Sequence, residues 1–427
     1  MNNVVSEEQL DELKNVLLSY TKQYRISFDQ QDYLGAYQAV QNILKILPNN
    51  PIALCDLGIV ESRLEQYEES YKHLLQAFNA SDEELNIKLL DALTETCFFL
   101  KKIREQKKYG KLAVLARKTQ VENEEMVVLP KRKKAPTFNS LKPKENIISY
   151  SLFGSEVRYC EYAVLNAKKA LEIFPDWRCR FYIDETVPRH VVNRLIELNA
   201  QVIFATDSMK LLPGVFWRFY VMDDPNVKRF IIRDADSLLS YREKMAVEDW
   251  IGSERLFHTM HDAKDHVELI LPGMWGGCTG ILPNIEQSII KFIESDRFTT
   301  MNSVDQHFLR FCVWPTVKQS VLIHDSQGYE PKAAKFNTQA SMLDHGLDDE
   351  FYVGRVEIKN YVQIKIQQNK AVDVITWSLT DEKDNEICSY DQVIAGETQF
   401  NILLPDAYVQ KVLDGTWEIT TLVKKYL

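Results

Sequence analysis

The amino-acid sequence predicts a chain of three parts: an all-α segment, an α/β domain built on a mostly parallel sheet, and a small all-β module. Three observations predict this order. The first 120 residues show helical periodicity, strand-like and helix-like segments alternate from Asn146, and short alternating apolar runs follow residue 345. The predicted domains are residues 1–120, a linker over 121–145, residues 146–345 and residues 346–427.

Composition and charge narrow the classes of function. Hydrophobic residues make up 45% and charged residues 26% of the 427 residues, as in soluble globular proteins. The formal net charge of −10 argues against a nucleic-acid binder with a basic face, and the lack of a long apolar run predicts no transmembrane segment. The acidic start MNNVVSEEQLDELKNVL differs from a signal peptide, and the seven cysteines include no Cys-x-x-Cys pair. We therefore expect a cytoplasmic protein with reduced thiols, and peripheral attachment at the inner membrane face stays open.

The predicted helical segment opens with a periodic row of apolar residues. Leu10, Leu13 and Leu17 recur at steps of three and four, and Tyr20 and Tyr24 continue the row. This spacing predicts a helix with one buried face.

A 34-residue self-similarity follows in the next helices. The clearest unit places small and apolar residues at the positions typical of tetratricopeptide repeats: Leu54, Leu57, Gly58, Ser70, Leu74 and Ala77. A shift by one repeat gives a second unit that ends at Pro48, whereas the shift forward matches only at Ala92. The segment resembles two tetratricopeptide repeats followed by a degenerate or capping pair of helices. The resemblance implies a concave surface for a protein partner, and a helical cap that only stabilises its neighbour is the alternative.

From residue 146 the pattern alternates between strand and helix. Strand-like runs are NIISYSLFG and residues 178–184, 201–205 and 228–232, and helical runs are residues 156–173 and 189–198. This alternation predicts helices on both faces of the sheet, with ligands bound at the carboxyl ends of the strands. After residue 345, the runs YVQIKI, VDVITWSL, FNILL and WEITTLV are typical of short antiparallel strands.

The strongest chemical signal is Asp234-Ala235-Asp236, which follows the apolar strand KRFII directly. Side chains at i and i+2 of an extended segment point to one side, so we expect the two carboxylates to converge. Converging carboxylates need a cation between them or a shared proton. A hard ion such as Mn²⁺ or Mg²⁺ suits the pair, and a nucleotide diphosphate would chelate its open side. A helix cap or surface turn is the alternative.

The acidic pair belongs to a wider set of segments, namely SYSLFGS, WRCRFYID, RDADS, FHTMHD, GMWGG, VDQHFL and VLIHDS. Over residues 146–328 the chain resembles the GT-A glycosyltransferases of bacterial and viral polysaccharide assembly, a nucleotide-sugar-dependent class with an Asp-x-Asp metal site. The resemblance implies a Rossmann-like GT-A domain, a nucleotide diphosphate-sugar donor bound with Mn²⁺ or Mg²⁺, and transfer to a glycan acceptor. Asp234 and Asp236 would bind the metal, and Asp234 would also contact the nucleotide diphosphate-sugar donor. The helical repeats and the C-terminal module lie outside the resemblance.

Five further residues are candidates for the donor site. Ser151, Phe153 and Gly154 close the first strand, where a small residue lets a base or ribose approach the backbone, although an ordinary turn would look the same. Arg218 is the candidate for neutralising the diphosphate through paired hydrogen bonds. Arg233 would also bind the diphosphate, or it would only balance the local charge.

The GMWGG segment predicts the sugar or acceptor wall. Gly273 and Gly276 would let the backbone line a ligand while Trp275 stacks on a sugar, and a tight turn with a core Trp is the alternative. Asp305 is the candidate general base for the acceptor hydroxyl in an inverting transferase. A helix cap is one alternative for Asp305, and the same position contacts the donor sugar in some retaining relatives. The resemblance places Asp262 among the acceptor contacts.

His324 follows the strand VLI and is the expected third metal ligand, as in glycogenin-like transferases. Asp325 beside it would orient the ring or bind the metal itself, and a structural histidine is the alternative. A second group comprises His258, His261, Asp262 and His266. The spacing of this group matches no standard zinc pattern.

The leading interpretation is a divalent-metal-dependent glycosyltransferase, expected to invert, that acts on a glycan of capsule or lipopolysaccharide type. One alternative is a protein-modifying glycosyltransferase that recruits its acceptor through the repeats. Another is a non-catalytic adaptor with an inert α/β domain, which the presence of both Asp234 and Asp236 disfavours. A third is a metal-dependent nucleotidyltransferase, for which SLFGSEVRY is a weak version of the usual Gly-rich basic loop.

Overall fold

The computed structural model describes residues 7–81, 86–130, 134–282, 284–298, 300–339, 344, 351–356, 361–365, 372–395 and 399–424. The chain forms two compact units. The helical unit comprises Met1–Asn123, Ala263–Leu269 and Asp325–Ala333, and the sheet unit comprises Glu124–Asp262, Ile270–His324 and Ala334–Leu427. The predicted boundary between residues 345 and 346 lies outside the described residues.

The helical unit consists of helices joined by short turns. They are α1 (Glu7–Asp29), α2 (Tyr33–Ile46), α3 (Pro51–Arg63), α4 (Tyr67–Ala80), α5 (Ile87–Phe99) and α6 (Ile103–Gln120). Asp32, Asn50 and Asn86 precede α2, α3 and α5, and each side chain accepts a hydrogen bond from the backbone N–H three residues further on. These caps satisfy N–H groups that a helix start leaves without a partner, which explains where the three helices begin.

The predicted repeat positions pack closely. Ser70 donates a hydrogen bond to the Gly58 carbonyl oxygen at 2.6 Å, and a Cβ atom on Gly58 would lie 2.5 Å from Leu74 Cγ. The missing side chain at Gly58 therefore lets α3 and α4 approach each other. The predicted buried face of α1 is wrong at its start, because Leu10 and Leu13 are 45% and 42% exposed.

Two short segments from later in the chain complete the helical unit. Arg117 on α6 is buried, with contacts of 2.7 and 2.9 Å to the two oxygens of Asp91 and of 3.2 Å to Glu268. Tyr329 is also buried, and its ring lies against Gly110, where a Cβ atom would overlap it. The core of the helical unit thus uses residues that the sequence pattern assigns to the α/β domain.

The sheet unit contains a mixed sheet. Its strands are β1 (Asn146–Leu152), β2 (Arg178–Ile183), β3 (Gln201–Phe204), β4 (Arg229–Arg233), β5 (Phe257–His261), β6 (Met274–Cys278) and β7 (Val321–Asp325), in the order β3-β2-β1-β4-β6-β5-β7. The first four strands pair in parallel, whereas β6 is antiparallel to both β4 and β5. The predicted mostly parallel sheet is thus found as a mixed sheet, parallel from β1 to β4 and antiparallel at β6.

Helices and turns connect these strands. They are α7 (Val157–Ile173), α8 (Arg189–Glu197), α9 (Asp207–Lys210), a 3₁₀ segment (Gly214–Asp223), α10 (Tyr241–Gly252), α11 (Ile285–Glu294), α12 (Val304–Phe308), a π-helical turn (Leu309–Val313) and α13 (Trp314–Val317). Since β1 and β4 are parallel neighbours, their carboxyl ends meet at one edge of the sheet, the usual place for a ligand site. No helix in the described ranges is long and apolar enough to cross a membrane.

The C-terminal module is not all-β. Its elements are β8 (Val362–Lys365), β9 (Val372–Thr380), β10 (Glu386–Ala395), β11 (Gln399–Ile402), α14 (Asp406–Leu413) and β12 (Glu418–Lys424). Strand β9 pairs antiparallel with β10 and β12, and β8 pairs antiparallel with β11. The all-β prediction is therefore wrong at α14. The segment DAYVQKVL forms a helix there and buries Tyr408 and Val409 on one face.

Replacing Arg117 should test the core of the helical unit. Arg117→Met should lower the free energy of unfolding by about 3 kcal/mol, because the buried Glu268 loses its cation. The matched control is Arg63→Met, which breaks a partly exposed pair with Glu95 and should cost less than about 1 kcal/mol. Urea unfolding followed by circular dichroism measures both. Equal, small losses would contradict a structural role for the Arg117 contacts.

Candidate active site

The predicted acidic pair lies directly after β4. The strand is buried along its length, and the Asp234 and Asp236 side chains that follow it are 46% and 9% exposed. Each carboxylate contacts a different guanidinium group: Asp234 pairs with Arg218, and Asp236 pairs with Arg158. The acidic pair therefore lies between two cations that other elements supply.

Arg218 is the centre of this cluster. Its buried guanidinium contacts Asp234, donates a hydrogen bond to Asp305 Oδ2 at 2.8 Å and donates another to the Arg233 carbonyl oxygen at 3.1 Å. One side chain thus joins the 3₁₀ segment, the end of β4 and the start of α12. The structure brings together Arg218, Asp234 and Asp305, which the sequence singled out separately.

Two serines of β1 fix the backbone of Arg218. Ser149 Oγ donates a hydrogen bond to the Arg218 carbonyl oxygen at 2.7 Å, and the Arg218 N–H donates one to Ser151 Oγ at 2.9 Å. Both serines face one side of the strand, because alternate residues point the same way. The predicted Ser151 therefore holds Arg218 in place, and Ser149 is a positioning residue that the sequence interpretation missed, although its i, i+2 spacing from Ser151 is visible.

The charges of the cluster shift the pKa values of its carboxyl groups. Burial alone would raise the pKa of Asp234, but Arg218 and Arg233 outweigh burial and lower it. Burial raises the pKa of Asp236, and the neighbouring Asp234 charge raises it further against the pull of its arginine partner. Burial also raises the pKa of Asp305, with Arg218 opposing and Asp234 adding to the shift. Asp234 is therefore the constant anion, whereas Asp236 and Asp305 take up protons more readily.

Arg233 supports the cluster from the protein interior. Its side chain is fully buried, where it donates hydrogen bonds to the Gly273 carbonyl oxygen at 2.7 Å and to Ser237 Oγ at 2.9 Å. It also lies 3.2 Å from Glu243, whose pKa burial raises to about 7 against the attraction of Arg233. The fully buried guanidinium is occupied by these protein contacts. Arg233 is thus corrected from a donor contact to a residue that fixes the backbone around Asp234.

Gly273 lies directly against Asp234. A Cβ atom at Gly273 would overlap the Asp234 carboxylate and would lie 3.0 Å from the Asp234 backbone nitrogen. The absence of a side chain therefore leaves room for the carboxylate in its contact with Arg218. Gly273 acts on the predicted site, but through Asp234 and not as part of an open loop.

The rest of the predicted glycine-Trp wall is a buried strand. Trp275 on β6 is fully buried, with its ring edge-on to Phe230 at 5.1 Å and to Phe219 at 6.2 Å between centroids. A Cβ atom on Gly276 would lie 2.6 Å from the Phe230 carbonyl oxygen, so this glycine permits the close pairing of β6 with β4. Trp275 has no exposed face on which a sugar could stack, and the alternative of a core Trp is the one observed.

The remaining donor candidates lie where β1 ends. The Phe153 side chain is 42% exposed, and its ring meets Trp217 edge-on at 5.7 Å between centroids. Gly154 adopts a left-handed backbone with φ of 78°, and its N–H donates a hydrogen bond to Thr186 Oγ1 at 2.6 Å. This strand end therefore presents an aromatic face on which a nucleotide base could stack.

His324 does not join the acidic pair. It is fully buried, with Nδ1 at 2.9 Å from His258 Nε2 and Nε2 at 3.3 Å from Asp249, and burial lowers its pKa. Strands β6 and β5 separate β7 from β4, a lateral distance of roughly 14 Å at ordinary strand spacing. Within the described residues, no group of three or more His, Cys, Asp or Glu side chains is placed to hold a metal ion. The prediction that His324 is the third metal ligand is thus corrected, because its contacts are those of a structural histidine.

Asp262 and Asp325 also make contacts inside the protein. Asp262 is buried and accepts two hydrogen bonds of 2.7 Å from Arg242 and one of 2.9 Å from the Val353 N–H. Asp325 accepts hydrogen bonds from the backbone N–H groups of residues 327, 328 and 330, which shapes the following turn. The predicted acceptor contact of Asp262 is therefore replaced by a structural ion pair.

In the part of the chain that the structure describes, three buried arginine donors beside the acidic pair have no hydrogen-bond partner: Nε of Arg158, of Arg218 and of Arg233. Nε of Arg233 lies 3.2 Å from the Glu243 carboxylate, which leaves those of Arg158 and Arg218 to be explained. Buried N–H groups are nearly always paired, so such orphans require an explanation, and an anionic ligand provides one. Arg158 was missed from the sequence, although a cation in the first turn of the helix after β1 is a known position for phosphate contacts.

The comparisons with known proteins are distant. No family model and no curated protein matches the sequence. Solved structures with partial similarity include the Sgt2 TPR domain from Aspergillus fumigatus, at 18% identity over 23% of this chain and 65% of that chain, with a TM-score of 0.22. An O-GlcNAc transferase mutant from Thermobaculum terrenum matches at 12% identity over 46% of this chain and 43% of its own (TM-score 0.24). The mannosyltransferase PcManGT from Pyrobaculum calidifontis, in complex with GDP-Man and Mn²⁺, matches at 10% identity over 54% of this chain and 85% of its own, with a TM-score of 0.28. TM-scores of this size do not establish a shared fold, so function rests on the site itself.

Proposed function

We propose that this protein is a glycosyltransferase that moves a sugar from a nucleotide diphosphate-sugar to a hydroxyl group of a glycan, of capsule or lipopolysaccharide type. The observation that carries the proposal is the cluster of Asp234 and Asp236 with Arg158 and Arg218 beyond the end of β4. Two carboxylates suit a divalent cation, and two guanidinium groups with unpartnered buried N–H donors suit a diphosphate. Few other ligands combine both requirements.

Arg158 and Arg218 are the proposed diphosphate contacts. During transfer the bond between the anomeric carbon and a phosphate oxygen breaks, and negative charge grows on the departing diphosphate. Guanidinium groups that are already oriented stabilise this charge without reorganising, which lowers the barrier. Both groups are fixed in advance, since Arg218 is held by Asp234 and Asp305 and Arg158 by Asp236.

Asp234 and Asp236 fit Mn²⁺ or Mg²⁺ as two protein ligands. Asp234 is half exposed and kept ionised by its arginine neighbours, whereas burial and the neighbouring Asp234 charge raise the pKa of Asp236. A divalent cation between the two carboxylates would favour the ionised form of Asp236. His324 lies too far away to contribute. The remaining ligands would be diphosphate and water oxygens, as is usual for hard cations at nucleotide sites. The bound ion would supply positive charge to the leaving diphosphate.

Asp305 is the proposed general base. Its Oδ2 accepts from Arg218 and its Oδ1 accepts from the Gln306 N–H at 2.9 Å, which fixes the orientation of the carboxylate. Ser303, which precedes α12, makes no side-chain cap hydrogen bond, and the Asp305 contact with the Gln306 N–H keeps the helix-cap alternative in place beside the proposed role. Asp305 would take the proton of the acceptor hydroxyl as that oxygen bonds to the anomeric carbon and the diphosphate leaves from the opposite face. Transfer by this route inverts the anomeric centre.

A non-catalytic protein is the second candidate, and one observation favours it. Both carboxylates of the acidic pair are ion-paired in the structure, as they would be in a domain that binds no cation. In that case the helical repeats would carry the function by binding a protein partner. Recruitment of a protein acceptor by the same repeats would instead make the enzyme a protein-modifying transferase.

Asp236→Ala should separate these candidates. Incubation of the full chain with a panel of nucleotide sugars and Mn²⁺ should release the nucleotide diphosphate slowly by hydrolysis of the donor. In Asp236→Ala the Mn²⁺-dependent part of nucleotide binding should disappear, because the ion loses one of two protein ligands. Metal-independent binding should persist, since Arg158 is freed from its carboxylate. Calorimetry with UDP and GDP, with and without Mn²⁺, measures both parts.

The matched control for Asp236→Ala is Asp224→Ala, which removes the carboxylate of another arginine pair, with Arg180 at 2.7 Å. The control should keep the Mn²⁺ dependence. Unchanged Mn²⁺ dependence in Asp236→Ala would refute the metal assignment. Failure of the wild-type protein to bind or hydrolyse any nucleotide sugar would favour the non-catalytic candidate.

Gly273→Ala should weaken Mn²⁺-dependent nucleotide binding by about fivefold while leaving the fold intact. The added Cβ pushes the Asp234 carboxylate out of its preferred rotamer, at a cost of about 1 kcal/mol. Gly252→Ala is the matched control, because a Cβ there meets nothing within 4 Å. Titration of both variants with nucleotide and Mn²⁺ gives the comparison. Normal binding by Gly273→Ala would show that the position of Asp234 does not matter for the ligand.

Asp305→Asn should slow transfer by about a hundredfold or more, with donor affinity little changed. The amide keeps an oxygen for Arg218 but cannot accept the acceptor proton. In the wild type the rate should fall as the pH drops through the raised pKa of Asp305, since only the carboxylate acts as a base. This acidic limb should vanish in Asp305→Asn. A parallel loss of donor affinity would mean that Asp305 holds the donor sugar, and normal turnover would exclude it as the base.

A further inference from the structure

Helix α6 carries a row of cations along one face. Arg104, Lys107, Lys108 and Lys111, here called the cationic stripe, follow the spacing i, i+3, i+4 and i+7, which places them on neighbouring turns of one side. All four side chains are exposed. The row runs for two turns of the helix and faces solvent.

The cationic stripe is not neutralised by the described residues. None of its four members forms an ion pair with them, and the ammonium group of Lys108 lies over the rings of Phe78 and Tyr109 at 5.6 and 5.1 Å. Further along the same helix, by contrast, Arg117 is paired with two carboxylates and Lys118 lies 2.6 Å from Glu330. Among the described residues, the ion pairs of α6 thus involve Arg117 and Lys118, whereas the stripe cations stay exposed, with Lys107 lying beside Gly328.

The six helices α1 to α6 also differ in charge. Residues 87–120, which form α5, α6 and their turn, carry nine Lys and Arg against three Asp and Glu, whereas residues 7–80 carry six against eleven. The whole chain has a net charge of −10. An acidic protein that concentrates its cations on one pair of helices is oriented by an anionic surface, which attracts that pair and repels the rest.

Apolar side chains accompany the cations. Ile103 at the start of α6 is 72% exposed, and Phe98 and Phe99 at the end of α5 are 44% and 39% exposed. Lys101 in the turn between them is exposed as well. Cations next to exposed apolar and aromatic side chains are the combination that lets a peripheral protein bind phosphate headgroups and enter the headgroup layer.

We propose that the cationic stripe docks the helical unit on an anionic lipid bilayer. Charge complementarity favours a bilayer over an acidic peptide, because a convex helix face offers no walls to enclose a peptide but can meet a flat array of phosphates. Each stripe cation near an anionic surface strengthens binding by about fivefold. The proposal concerns binding alone and does not depend on glycosyl transfer.

The test uses the full chain and vesicles of phosphatidylcholine with or without phosphatidylglycerol. The wild-type protein should sediment with the anionic vesicles and not with the zwitterionic ones, and salt should weaken the binding. The triple variant Arg104→Gln, Lys107→Gln and Lys111→Gln should bind anionic vesicles about a hundredfold more weakly, from fivefold for each cation. The matched triple variant Lys22→Gln, Arg25→Gln and Lys45→Gln removes the same charge from α1 and α2 and should bind like the wild type.

Three results would overturn the proposal. The first is a wild-type protein that does not sediment with anionic vesicles at low salt. The second is an equal loss in both triple variants, which would indicate attraction without a defined surface. The third is binding of soluble polyglutamate by the stripe in the absence of any vesicle binding, which would identify an acidic protein as the partner. Circular dichroism spectra equal to the wild type ensure that a loss of binding does not reflect unfolding of α6.

Discussion

The contact of the buried Arg218 guanidinium with Asp234 and Asp305 is the interaction on which the rest of the proposed site depends. A buried cation without counter-charges would cost several kcal/mol, so the two carboxylates must lie where the guanidinium is. This requirement ties together three stretches that are far apart in sequence: the 3₁₀ segment, the end of β4 and the start of α12. Ser149 and Ser151 on β1 then fix the Arg218 backbone, so the central strands also determine where the charge lies.

A second layer of charge lies beneath the first. Arg233 is fully buried beside Glu243 and holds the Gly273 carbonyl oxygen, which keeps β6 against the acidic pair. The alternation of positive and negative groups has a chemical consequence, because it moves the pKa values of neighbouring carboxyl groups in opposite directions. Asp234 stays ionised, whereas Asp305 holds a proton more readily than an ordinary aspartate. One cluster can therefore contain both a permanent anion and a group that exchanges protons.

The sequence predicted the parts of the site that depend on where strands end, and it failed where partners come from the tertiary structure. Apolar periodicity locates the end of β4, and with it the acidic pair. Trp275 was misjudged because glycines in GMWGG suggest a loop, whereas they make room for a neighbouring strand and for Asp234. His324 follows a strand as expected, but strand order is not written in local periodicity, and two strands separate it from β4. Arg158 escaped notice since only the fold brings it to Asp236.

The ion-paired state of the acidic pair constrains how the proposed donor would bind. Without a ligand, Arg158 pairs with Asp236, and Arg218 is shared between Asp234 and Asp305, so two guanidinium groups face three carboxyl groups. A diphosphate alone would add negative charge and compete with the carboxylates for the guanidinium groups, while a divalent cation alone would compete with the guanidinium groups for the carboxylates. Binding of both together supplies a cation for the carboxylates and an anion for the guanidinium groups, so neither charge is buried without a counter-charge. The geometry therefore favours cooperative binding of cation and nucleotide, with each weak in the absence of the other.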